Sequence, residues 1–114
     1  MSCTAAVRHA GSVAIVDLAG RITLGEGSGL VRGTLKDLVA AGERKILLNL
    51  KEVSYIDSAG LGELVGGYAT VTNQGGTVKM AAAQAKVDTL MQVTKLYTVF
   101  ECFPDEAAAL ASFD

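Results

Sequence analysis

The stretch ILLNLKEVSYIDSAGLGEL, residues 46–64, decides how the chain is read. It starts as a nearly continuous apolar run of strand length, Ile46 to Leu50, of the kind that lies deep in a sheet. A second strand-like run, Val53 to Ile56, leads into Asp57-Ser58. There the period changes. Leu61, Leu64, Val65, Tyr68 and Val71 fall along one side of a helix, which Gly75-Gly76 ends. A strand entering a helix, with Asp and Ser at the junction and Ala59, Gly60 and Gly62 just after it, is an α/β unit.

The same reading extends in both directions. Upstream, residues 5–20 (AAVRHAGSVAIVDLAG) give two strand signals around a Gly11-Ser12 turn, an antiparallel hairpin. Val31, Leu35, Leu38 and Val39 then mark one helical face, with Ser28 suited to cap its start and Gly42 its end. Gly25, Gly27 and Gly29 precede or open that helix. Gly33 inside it costs about 1 kcal/mol against Ala, which predicts a close neighbour at its backbone.

Downstream, TVKMAAA (77–83) is a strand, and AKVDTLMQVTKL (85–96) a short helix with Val87, Leu90 and Met91 inward. YTVFECF (97–103) reads as a last strand. PDEAAALASF (104–113) closes the chain as a helix, with Pro104 near its first position, Asp105 and Glu106 in the first turn, and Leu110 and Phe113 as anchors. The order ββαβαβαβα predicts one α/β domain over residues 1–114. Its sheet is mixed, of about five strands with about four helices and right-handed crossovers.

Composition narrows the function classes. A chain of 114 residues, half of them apolar, buries enough surface to fold without staples. The net charge of −2 and three Phe, three Tyr and no Trp speak against a nucleic-acid partner, which needs a basic face or a stacking platform. Cys3 and Cys102 form no CxxC pair and His9 is the single histidine, so no metal or cofactor is expected. The cysteines read as free thiols in a reducing cytoplasm, Cys102 as a packed core residue. Met80 and Met91 read as core, His9 as solvent-facing, and Glu43-Arg44-Lys45 as a solvated turn. No signal-peptide pattern and no apolar run near 18 residues is visible, which predicts a cytoplasmic protein without membrane insertion.

Ser58 follows the buried strand and opens the helix, where sites of α/β folds gather. It reads in two ways. Asp and Ser are common helix caps, worth about 1 kcal/mol, and the glycines serve close packing. Alternatively, the small residues leave the Ser58 hydroxyl open to another protein. Catalysis is disfavoured. No base is placed near Ser58, the frame is not G-x-S-x-G, and GEGSGL (25–30) lacks the lysine of a phosphate loop. As a kinase substrate, Ser58 would gain a charge of about −1.5 to −2 at a helix end that tolerates it. Tyr55 either lines the same surface or is buried.

These residues resemble the STAS family, the domain of bacterial anti-sigma factor antagonists. The likeness runs through LAGRITL, the stretch quoted above, GGTVKMAA and the closing helix, and is most specific at VSYIDSAGL. It implies a phosphorylation-controlled binding module and not an enzyme. The expected partner is an ATP-dependent anti-sigma factor serine kinase, captured when Ser58 is unmodified and released when it is phosphorylated; a serine phosphatase resets the switch. By the same resemblance Asp57, Ala59, Gly60, Leu61 and Gly62 are contacts, joined by the loop at Thr23, Gly25 and Glu26. In one respect the chain departs from the family: Thr23 stands where an acid is common, and the next acid is Glu26. The alternative is a non-switching STAS scaffold subunit of a stress-signalling assembly or of a lipid-transport ABC complex.

Overall fold

The computed structural model describes residues 3–23 and 28–113, the side chain of Ser28 excepted. β1 (Cys3–Ala10) and β2 (Val13–Ile22) form the hairpin, turning at Gly11-Ser12. Then come α1 (Ser28–Ala40), β3 (Lys45–Ile56), α2 (Ser58–Asn73), β4 (Thr77–Ala81), α3 (Ala85–Val93), β5 (Glu101–Phe103) and α4 (Glu106–Ser112). The sheet has five strands in the order β1-β2-β3-β4-β5. β1 is antiparallel to β2, and the other neighbours are parallel.

The apolar run fixes the centre. Ile46, Leu47 and Leu48 are successive and fully buried, so both faces of β3 are covered. Ile46 and Leu48 join Val16, Leu35, Leu64 and Met80 in the main core. Leu47 points the other way, into a smaller cluster with Val13, Ile15, Ala81 and Ala109 under α4. Met91 is buried with Met80 as expected, and His9 is exposed, 2.7 Å through Nε2 from Glu43.

α1 ends as its sequence predicts. Gly42 is left-handed (φ +97°) and the amides of Gly42 and Glu43 close on Val39 and Leu38. The cap expected of Ser28 falls on a side chain outside the described residues. Gly33 corrects an expectation: no described atom lies within 4 Å of where its Cβ would sit. The close approach of α1 to α2 is made at Gly67, against which the Leu35 side chain packs. Val65 is likewise exposed, because the buried stripe of α2 runs through Gly60, Leu64, Gly67 and Val71.

The C-terminal third differs most. Only Glu101–Phe103 of the expected last strand pairs with β4, because Lys95 turns left-handed (φ 62°) and Leu96–Thr98 forms a 3-10 turn. Phe100 then drops into the core, edge-on to Tyr68 at 5.1 Å. Cys102 is exposed and not packed in the core, since β5 is a short edge strand; both cysteines are free. In α4 the first position belongs to Glu106 and not to Pro104. Asp105 caps the helix by accepting the Ala108 amide at 2.8 Å, which leaves Pro104 outside.

Candidate functional site

The site grows from the end of β3. Ile56 is buried and pairs with Ile22 at the end of β2. The Asp57 amide donates to the Ile22 carbonyl at 3.2 Å, tying the junction to β2. Asp57 then turns extended (φ −95°, ψ −177°) and its Oδ1 accepts the Gly60 amide at 2.8 Å, the bond of an N-cap. Gly60 is buried, and a Cβ there would overlap the Ile22 carbonyl oxygen. Only glycine lets α2 start this close to β2.

This settles what the helix needs from Ser58. Asp57 supplies the cap. Ser58 is the first helical residue, exposed, and its hydroxyl makes no hydrogen bond among the described residues. Ser58 sits in the first turn, whose first N–H groups no intrahelical carbonyl reaches, at the positive end of a 16-residue helix. Ala59 and Leu61 are half-buried and Gly62 is exposed with open space around it. Thr23, just past β2, is half-buried beside this junction; Gly25 and Glu26 lie outside the described residues.

Next to Ser58 a groove of about 450 Å³ opens between the start of α2 and the length of α3. Ile56, Leu61, Val87 and Leu90 give it apolar walls, and Tyr55, Asp57, Ser58, Lys86 and Thr94 its polar edge. Tyr55 is 45 % exposed, with the Arg21 guanidinium 5.0 Å from its ring centre, so the question of its burial is answered by the surface. Nothing in the sequence alone assigns Lys86 or Arg21 to this site. Lys86, Leu90 and Thr94 recur every four residues, a ridge legible in principle, but only the fold sets that ridge against α2.

His9 pairs with Ala14 at the start of β2, whereas Ser58 follows the far end of the 12-residue β3. The single histidine is thus at the opposite end of the strands from the hydroxyl. Among the described residues no cluster of His, Cys, Asp or Glu suits a metal, and no helix is long and apolar enough to cross a membrane.

A family model described as the STAS domain matches residues 4–109. The chain belongs to the STAS domain family. A curated STAS relative, the anti-sigma F factor antagonist of Paenibacillus polymyxa, is 26% identical over 109 residues, 95% of this chain and 92% of the relative. The structure of an anti-sigma factor antagonist from Mycobacterium paratuberculosis superposes with a TM-score of 0.85 at 22% identity, covering 97% of this STAS domain and 93% of that chain. The Bacillus cell-fate determinant SpoIIAA in its phosphorylated form has a TM-score of 0.71 at 15% identity, over 95% and 97% of the two chains. At these identities the two structures speak for the fold.

Proposed function

We propose that this STAS domain is an anti-sigma factor antagonist controlled by phosphorylation of Ser58. The observation that carries the reading is the division of labour at the junction: Asp57 caps α2, which leaves the exposed Ser58 hydroxyl without a structural task. The names of its relatives describe antagonism of a protein, a binding activity, and the chain is a binding module and not an enzyme. That a fold neighbour is known in a phosphorylated form supports a phosphate as the switch.

In this account the partner is a cytoplasmic anti-sigma factor that is itself an ATP-dependent serine kinase. It docks over Ser58, Ala59, Leu61 and Gly62, with Thr23, Gly25 and Glu26 beside them; Asp57 and Gly60 hold that surface in shape. Transfer of the ATP γ-phosphoryl to Oγ, with loss of the hydroxyl proton and release of ADP, adds a charge of about −1.5 to −2. The helix end accommodates it, so the fold stays and the surface changes. A docking penalty of about 3 kcal/mol weakens the complex roughly a hundredfold. A serine phosphatase restores the hydroxyl.

The test is a pair of variants. Ser58→Ala is expected to fold normally and hold the kinase whether or not ATP is supplied, while Ser58→Asp folds and binds poorly. Loss of the kinase by Ser58→Ala would overturn the switch, because the hydroxyl would then be a contact.

A further inference from the structure

The groove between α2 and α3 bears on how a phosphate at Ser58 would act. Among the described residues that line the groove, Asp57, Tyr55 and Lys86 carry charge or a titratable group, and Arg21 lies against Tyr55. Asp57 comes from the junction and already accepts the Gly60 amide. Tyr55 comes from β3, with the exposed Arg21 of β2 over the face of its ring at 5.0 Å, outside the groove lining. Lys86 comes from the first turn of α3, lines the same groove as Ser58, and makes no ion pair or hydrogen bond among the described residues. Among the described residues that line the groove it is the cation, and it is free to answer new negative charge there. Its stem of four methylenes lets the ammonium sweep about 6 Å along the apolar wall while staying hydrated.

We propose that Lys86 is the counter-ion of a phosphate on Ser58, so that phosphorylation straps α3 to the start of α2 across the groove. This rests on the reading of Ser58 as the phosphorylated residue and adds its local consequence. The dianion draws the ammonium over the mouth of the groove, above Leu61 and Leu90. An arriving partner then meets a charged, solvated bridge where the unmodified protein offers a hydroxyl and an apolar floor. The switch acts by closing a surface as well as by repulsion.

The experiment installs phosphoserine at position 58 during translation, so no kinase is needed, and follows the phosphate by ³¹P NMR titration. Its second ionisation lies near pH 6 in the absence of neighbours. Lys86 favours the dianion and Asp57 opposes it. Removing the cation in Lys86→Gln should raise the titration midpoint by about half a pH unit, the size of an exposed ion pair. Lys45→Gln, at the other end of β3, should leave it in place. Amide exchange at residues 85–87 should slow when phosphoserine is present in the parent and not in Lys86→Gln. A midpoint that Lys86→Gln leaves unchanged, or moves no more than Lys45→Gln does, would overturn the pairing. Because the phosphate is built in, that failure leaves the Ser58 switch standing; the switch falls separately, if cells never modify Ser58.

Discussion

Gly60→Ala is the substitution to which this architecture is most sensitive for its size. A Cβ at that position overlaps the carbonyl oxygen of Ile22 and comes within 2.9 Å of the Ile22 carbonyl carbon and of Ile56 Cγ2. Two of the three obstacles are backbone at the end of β2, so no rotamer change relieves them. Either α2 lifts off β2 or the strand end moves. Overpacking of this kind costs about 1–3 kcal/mol. The hydrogen bond from the Asp57 amide to the same carbonyl is strained with it, about 1 kcal/mol more. Helix propensity returns about 1 kcal/mol, which leaves a net loss of about 2 kcal/mol. Gly62→Ala, two residues on, has open space around its Cβ and keeps only the propensity gain of up to about 1 kcal/mol. Urea unfolding of the two variants should therefore give shifts of opposite sign, about 3 kcal/mol apart. Two variants that both gain stability, or that shift alike, would refute the claim that α2 is seated against the Ile22 carbonyl.

The other expectations concern α4. Glu106 accepts from Arg8 and, at 2.9 Å, from Asn49, and these partners hold its carboxyl below the ordinary value of 4.5. A depressed carboxyl stabilises the fold above that value and ceases to do so as pH falls through its folded-state pKa. Glu106→Gln should thus lower stability at pH 7 and flatten its fall below pH 4.5, as read by urea midpoints across that range. Lys79 is buried, donates to the carbonyl and hydroxyl of Ser112 at 3.1 and 2.8 Å, and lies 4.6 Å from the Phe113 ring. Lys79→Met should cost about 1–3 kcal/mol and speed amide exchange in α4 while α2 keeps its protection; equal loosening of both helices would contradict the assignment.

How much of this was legible follows from how local each signal is. The strand into Asp57-Ser58 and the helix after it declare themselves within twenty residues, because burial on both faces and a change of period are short-range patterns. The stop at Gly42 is a three-residue signal and was equally plain. Gly60 and Gly67 are harder to read, since a hydrophobic pattern skips glycine and runs the stripe through Val65 instead. The clasp of Arg8 on Glu106 joins residues 98 apart, with nothing local to announce it. β5 is shorter than the apolar run 97–103 suggests, because part of that run serves a buried turn at Phe100. Lys86 became a site residue only when the fold laid α3 beside α2.

The measurement that bears most directly on the account is intact mass with site mapping of the protein isolated from its own cells, with and without stress. The account predicts a single phosphate, on Ser58, whose occupancy changes with the condition. A Ser58 left unmodified under every condition, or a phosphate carried elsewhere, would contradict it and return Ser58 to the surface of a non-switching STAS scaffold.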